Sequence, residues 1–385
     1  MVPRLVKPLK STSFFLFGAR GTGKTHFLRR FLDPETTLSI NLLEASEFEE
    51  LSLNPDSLIS RVRAAKQPLD FVFIDEVQKI PQLLDVVHHL IESQQIKFAL
   101  SGSSARKLRR GGANLLAGRA FQYYLFPLTQ MELQERFSLE EALNFGTLPQ
   151  LLQYTQHEEK EQYLRTYVDT YLKEEILVEQ LVRDLVPFRK FLDVAAQSSG
   201  KIINYSAIAR DIGSTDQTVK SYFQILEDTL LGRFIEPYHR SIRKRQRGNP
   251  KFYFFDIGVK RAVTKMLTVP LRPGTYMYGE AFEHFIIQEI NARHQYLKPD
   301  YELFYLKSAD HAEIDLIIDR PGLPSILLEI KSTDRITEHD LRHLYSLGKD
   351  LPNAQSLCLS RDPHPKEIIG IRCLPWQQAL DEIGW

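Results

Sequence analysis

Cysteine is almost missing from this chain: Cys358 and Cys373 are the two present among 385 residues. They share no CxxC spacing and no neighbouring His pair, which excludes a disulfide framework and a structural zinc site. Two ordinary thiols in a reducing compartment are expected. An excess of charge of either sign is missing as well. Lys plus Arg and Asp plus Glu each number 49, so overall charge draws no polyanionic partner and any nucleic-acid surface must come from local clustering. Long apolar runs are also lacking. The N-terminal region offers only Phe14–Phe17 before Gly18, too short for the apolar core of a signal peptide. No stretch approaches the roughly 18 apolar residues of a membrane span. The sequence therefore reads as a soluble cytoplasmic protein with no membrane partner. What is present in ordinary measure, 43% hydrophobic and 25% charged residues, excludes a disordered or fibrous chain.

A chain of this length holds two or three domains, and the patterning favours three, over residues 1–135, 136–248 and 249–385. In the first, Phe14–Phe17, Thr37–Asn41, Phe71–Ile74 and Phe98–Ser101 are short apolar runs bounded by turn or charged residues, as buried parallel strands are. Between them His26–Leu32, Asp56–Lys66 and Gln82–Ser93 read as helices, which predicts an α/β parallel-sheet domain. Residues 155–240 repeat at three- and four-residue spacing, a helical block without a clear strand until Arg233. From Lys251 strand-like segments return at Phe252–Phe255, Leu303–Leu306, Ile314–Ile318 and Ile326–Ile330, beside the helical pattern Gly279–Arg293.

The sharpest signal is Gly18-Ala-Arg-Gly-Thr-Gly-Lys-Thr25, a GxxxxGK[ST] that follows a strand and opens a helix. Its glycines let backbone N–H groups wrap a pyrophosphate, and the helix N-terminus adds a favourable dipole. Gly18, Arg20, Gly21, Thr22, Gly23, Lys24, Thr25 and His26 are the expected contacts to ATP or ADP. Lys24 would reach the β- and γ-phosphates and Thr25 would hold Mg2+. A second apolar strand, Phe71-Val-Phe-Ile, ends in Asp75-Glu76. Asp75 suits Mg2+ coordination and Glu76 suits polarising the attacking water, so hydrolysis is expected. A third strand ends in Ser101-Gly-Ser-Ser104, where Ser103 could sense the γ-phosphate, although ordinary turn chemistry explains such a run equally well. Arg106, Lys107, Arg109 and Arg110 follow, then Leu115-Leu-Ala-Gly-Arg119. Arg119 is the candidate to stabilise transition-state charge, in its own chain or across a subunit boundary.

Together the phosphate loop, FVFIDEVQKIP, SGSS and LLAGRAFQYYLFPLTQMEL resemble a branch of AAA-type ATPases common in bacteria and archaea. GTLPQLL, YVDTYLKEEI and GEAFEHFIIQEI resemble the C-terminal region of that branch, known as a domain of unknown function. The resemblance implies an AAA-type P-loop ATPase domain, a helical winged-helix-like domain and an α/β restriction-endonuclease-like domain. ATP and Mg2+ are the implied cofactors. A homo-oligomer, a ring among the options, is expected because Arg119 would act most usefully on a neighbour's nucleotide.

In the middle block, Asn204 to Gly213, Ser214-Thr-Asp216 and Gln217 to Leu226 read as helix, turn, helix, with Ser214 or Asp216 as cap of the second helix. Its exposed face would carry Gln217, Thr218, Lys220 and Ser221, weakly basic, and could enter a major groove or serve as a protein–protein module. Arg240, Arg243, Lys244, Arg245, Arg247 and Lys251 lie within twelve residues that contain no acid, a run suited to DNA phosphates or to keeping a strand edge soluble. Further on, period-2 geometry puts Glu329 and Lys331 on one strand face, with Asp315 on the strand before. Asp315, Glu329 and Lys331 are similar to the PD-(D/E)xK nuclease core, and Glu283 matches its helix carboxylate. The motif's Pro-Asp dipeptide is absent, with Glu313-Ile-Asp315 in its place. Two close carboxylates there could hold a second metal ion. The expected function is a Mg2+-dependent ATP hydrolase, a motor or switch on DNA. A protein-remodelling or signalling ATPase and an ATP-gated nuclease are the alternatives.

Overall fold

The computed structural model describes residues 2–65, 67–104, 108, 116–172, 185–239, 248–308, 310, 312–351 and 353–385. The chain forms two compact units. The first comprises residues 1–128, 148–153 and 225–231, the second 129–147, 154–224 and 232–385.

The first unit is built on five parallel strands: β1 (Ser13–Phe17), β2 (Thr37–Asn41), β3 (Phe71–Asp75), β4 (Lys97–Gly102) and β5 (Ala120–Tyr124). Their order in the sheet is β2-β3-β4-β1-β5. β1 and β3 are buried along their whole length, because the sheet is covered on both faces. This is why their sequences run apolar without alternation. Helices α1 (Lys24–Phe31), α2 (Ala45–Leu53), α3 (Ser57–Arg63) and α4 (Leu83–Gln94) connect the strands. Phe15, Phe17, Ile74, Val87, Leu90, Phe98 and Leu100 form the centre of the core. Helix α3 is shorter than the expected Asp56–Lys66. Two elements lie outside the expected set. α2 is mostly polar, and β5 is an edge strand whose Phe121 stays 47% exposed, so neither writes a continuous apolar run.

In the second unit, helices α5 (Leu139–Phe145) and α6 (His157–Thr166) precede α7 (Leu185–Gln197), α8 (Tyr205–Ile212) and α9 (Asp216–Asp228), the last of which belongs to this unit through residue 224. Asn204 caps α8 through its side-chain oxygen, and Gly213 ends it in the left-handed conformation at φ 69°. Thr215 caps α9 by accepting from the Thr218 N–H at 3.2 Å. Thr215 thus takes the role expected of Ser214 or Asp216, and Asp216 accepts instead from the Ser206 hydroxyl of α8 at 2.5 Å. Strands β6 (Gly232–Pro237) and β7 (Lys251–Phe254) then form an antiparallel pair. The far end of β6 pairs in parallel with β8 (Glu302–Lys307). The pair is thereby part of one eight-stranded sheet that takes strands from both sides of residue 248. Beyond it run β9 (Glu313–Asp319), β10 (Ser325–Lys331), β11 (Ala354–Ser360), β12 (Lys366–Ile368) and β13 (Ile371–Pro375), in the order β12-β13-β11-β10-β9-β8-β6-β7. Helices α10 (Ile257–Val263), α11 (Tyr276–Leu297), α12 (Arg342–Lys349) and α13 (Trp376–Glu382) complete the unit. Among the described residues no helix is long and apolar enough to cross a membrane.

Asp256, 1% exposed, ties α10 to the end of α5. Its carboxylate accepts from Val259 at 3.0 Å and from Thr147 at 2.9 Å, and burial pushes its carboxyl up to about 6 against those donors. The approach is so close that a Cβ on Gly258 would lie 1.8 Å from the Phe145 carbonyl oxygen. Gly258→Ala is therefore expected to cost about 3 kcal/mol or more, since backbone on both sides resists displacement. Urea unfolding checks this, and an unchanged midpoint would contradict it.

Candidate functional site

β1 runs straight into the phosphate loop. A Cβ on Gly18 would lie 2.5 Å from the Leu125 carbonyl oxygen, and Gly21 and Gly23 hold φ 83° and 93°. Glycine alone meets both demands cheaply. The loop is braced from the N-terminus, where Arg4 donates to the Thr22 carbonyl oxygen at 3.1 Å and to that of Phe126 at 2.5 Å. Thr22 closes the loop from within by donating to the Ala19 carbonyl oxygen at 2.8 Å. Arg20 is half-buried and His26, on the first turn of α1, is exposed.

Lys24 is 5% exposed. Its ammonium donates to the Gly18 carbonyl oxygen at 2.8 Å and lies 3.9 Å from Glu76 Oε1. Thr25 Oγ1 donates to Asp75 Oδ2 at 2.7 Å. That contact has to pass over the end of β4, which lies between β1 and β3 in the sheet. Ser101 and Gly102 end β4 with little bulk, and Ser101 takes part in the contact. Its hydroxyl donates to Asp75 Oδ1 and accepts from the Glu76 N–H, the latter at 3.1 Å. Ser103 is buried and accepts from the Gln78 amide at 3.0 Å. The cradle of glycines, one lysine and two hard oxygen groups is chemistry that fits a nucleotide phosphate and Mg2+.

Arg119 stands elsewhere. It precedes β5, whose Ala120 pairs with Ser13 at the start of β1, so it lies roughly 13 Å of strand away from the loop end of the sheet. There it pairs with Glu92 of α4 and donates to the Ala117 carbonyl oxygen at 3.1 Å. Arg106, Lys107, Arg109 and Arg110, and likewise Arg240, Arg243, Lys244, Arg245 and Arg247, lie outside the described residues.

In the second unit Asp315 and Glu329 come together. β9 and β10 pair antiparallel with Leu316 opposite Leu328, which sets these two carboxylates one step further along the ladder. The Ile330 N–H donates to Asp315 Oδ2 at 2.8 Å. Glu329 is 4% exposed. Its Oε1 lies 2.6 Å from Lys331 Nζ, while its Oε2 is buried with no hydrogen-bond partner among the described residues. Enclosure, and then Asp315, push the Glu329 carboxyl up to about 8 against the pull of Lys331.

Glu283 is engaged differently. It accepts from the Tyr253 hydroxyl at 2.7 Å and lies 3.9 Å from Lys251 Nζ. Lys251 is itself 3% exposed and 2.5 Å from Glu313 Oε1. Burial opposes its charge, but Glu283, Asp315 and Glu313 together hold its ammonium above the ordinary lysine range. Among the described residues no cluster of three or more His, Cys, Asp or Glu side chains could hold a metal ion. On α9 Gln217, Lys220 and Ser221 are exposed and Thr218 is half-buried.

Three participants were passed over in the sequence, and a fourth, Lys251, was expected on DNA phosphates but is buried against Glu313. Gln78 sits one short turn past Glu76, Arg4 stands alone near the N-terminus, and Lys251 and Tyr253 belong to a strand far from Glu283 in the chain. No motif spacing links any of them to its partner.

Three family profiles match the chain. Residues 10–134 match the AAA domain, residues 136–269 a domain of unknown function (DUF8612) and residues 278–378 another (DUF4143). Uncharacterized proteins of Mycobacterium bovis and Mycobacterium tuberculosis are each 26% identical over 267 residues, 68% of this chain and 58% of theirs. The match thus spans less than two thirds of the length of these relatives. An uncharacterized protein of Haemophilus influenzae is 23% identical over 279 residues, 66% of this chain and 70% of its own. Among solved structures, a half-complex of Thermococcus gammatolerans McrB AAA+ hexamers with bound McrC is 13% identical. It covers 50% of this chain and 76% of that one at a TM-score of 0.23, too slight a likeness to carry an argument. On the AAA match and the strand-loop-helix that holds Lys24, the chain carries an AAA-type ATPase domain.

Proposed function

We propose that the chain is a Mg2+-dependent ATP hydrolase that works as a motor or switch on DNA. The observation that carries the hydrolytic part is the convergence of Thr25 and Asp75 at 2.7 Å, with Glu76 beside Lys24. Thr25 and Asp75 would hold Mg2+, which when bound neutralises charge on the phosphate oxygens. Lys24 would exchange the Gly18 carbonyl oxygen for β- and γ-phosphate oxygens. Its contact with Glu76 would open in the same movement, leaving that carboxylate to accept a proton from the attacking water. Arg119, remote from its own loop, would act on the nucleotide of a neighbouring copy in a homo-oligomer.

Two features support DNA as the target. One is the exposed face of α9 with Gln217, Lys220 and Ser221. The other is the acid-free basic run from Arg240 to Arg247 in the sequence; Lys251, buried against Glu313, takes no part in it. At the other end of the chain the order helix, three antiparallel strands, helix and a parallel strand supports the nuclease-like reading. There Asp315 and the orphaned Glu329 Oε2 fit a hard divalent cation, whereas Glu283 is spent on Tyr253 and Lys251. The test measures ATP turnover with duplex, branched and single-stranded DNA over a range of salt. Stimulation by one of them that fades as salt rises is expected. Turnover indifferent to all three at low salt would point to a protein target instead.

A further inference from the structure

Immediately after Asp75 the backbone turns back. Glu76 adopts the left-handed conformation at φ 59°, and the turn Val77–Lys79 carries Gln78 in under the sheet end. Gln78 is 5% exposed. Its amide nitrogen donates to Glu76 Oε2 at 2.5 Å and to Ser103 Oγ at 3.0 Å, so both of its N–H groups are used at the ends of β3 and β4. Gly102 makes the room, since a Cβ there would lie 2.7 Å from Gln78 Oε1. That oxygen accepts no hydrogen bond among the described residues. The two bonds Gln78 donates are therefore what its buried place secures, and one of them goes to the carboxylate beside Lys24.

We infer that Gln78 is a positioning residue for Glu76, fixing Oε2 so that Oε1 faces the space where Lys24 meets the nucleotide. A glutamate side chain on a left-handed backbone has three rotatable bonds and would otherwise sample several directions. Gln78, anchored in turn by Ser103, removes that freedom and links the carboxylate to the end of β4. The consequence lies in the chemical step and not in binding, because the two hydrogen bonds Gln78 donates go to Glu76 and Ser103 and not to the loop that would hold the phosphates. The inference rests on the reading of Glu76 as the group that activates water.

Wild-type turnover of ATP is measured first, because its absence would remove the hydrolase reading itself. With turnover established, Gln78→Met keeps the volume and deletes both bonds. It is expected to lower kcat about 10- to 100-fold, as small misplacements of a reacting group do, with KM for ATP changed less than about threefold. In a Glu76→Gln background the same change should cost less than about twofold, because two residues that act through one carboxylate are not additive. Gln78→Met as fast as wild type would overturn the inference alone. So would a full additive loss in the double variant, which would mark Gln78 as a packing residue. Should Gln78→Met fail to fold, Gln78→Asn shortens the arm by one methylene and is expected to give the same split of kcat from KM. An unchanged kcat there would be equally fatal.

Discussion

Lys24→Ala is expected to lower ATP turnover by about 10²- to 10³-fold, the loss typical when one preorganised group that stabilises transition-state charge is removed. Lys24 is 5% exposed and already sits on the Gly18 carbonyl oxygen, so its ammonium is held at the loop before any nucleotide arrives. The alanine variant gives up the cation but keeps the glycine backbone that wraps the phosphates. Its melting temperature should stay near that of the wild type, because the ammonium bonds carbonyl oxygens of the loop and faces Glu76 without bracing the apolar core. Phosphate release by the purified variant checks the first point and thermal unfolding the second. Turnover at the wild-type rate would remove Lys24 from the reaction.

Glu76→Gln should separate binding from hydrolysis. The amide keeps the size of the carboxylate and can still meet Gln78, but it cannot take a proton from water. Loss of a general base costs about 10²- to 10⁴-fold, and the whole of that loss should fall on kcat. Nucleotide affinity should be retained or rise, since the amide no longer competes with the phosphates for Lys24 at 3.9 Å. Equilibrium binding of a labelled nucleotide beside single-turnover hydrolysis gives both numbers. An equal fall in affinity and rate would mean that Glu76 shapes the site and does not act in the step.

The parts of this site written in local residue chemistry were legible in the sequence. Glycines at Gly18, Gly21 and Gly23 have a backbone reason to be there, and a buried strand that ends in two carboxylates is visible as an apolar run with an abrupt stop. Contacts made by pairing across long separations were not. The β6–β7 hairpin joins the C-terminal sheet through Glu236 opposite Phe304, a pairing that no period in the sequence announces. The engagement of Glu283 with Lys251 and Tyr253 follows from that pairing, so the helix carboxylate looked free when read along the chain. β5 escaped notice because its half-exposed residues mix apolar and polar groups without a buried run. Arg119 showed the reverse problem. Its identity was suggestive, but only the register of Ala120 with Ser13 shows that it stands at the far end of the sheet from its own loop.

The most direct test of the central claim is steady-state phosphate release from ATP by the purified chain, with Mg2+ present and then removed by a chelator, against Lys24→Ala as the blank. If Lys24, Thr25, Asp75 and Glu76 form a hydrolytic site, release is saturable in ATP, disappears with the metal and exceeds the blank by at least about 100-fold. Release equal to the blank, or unaffected by removal of Mg2+, would contradict the account.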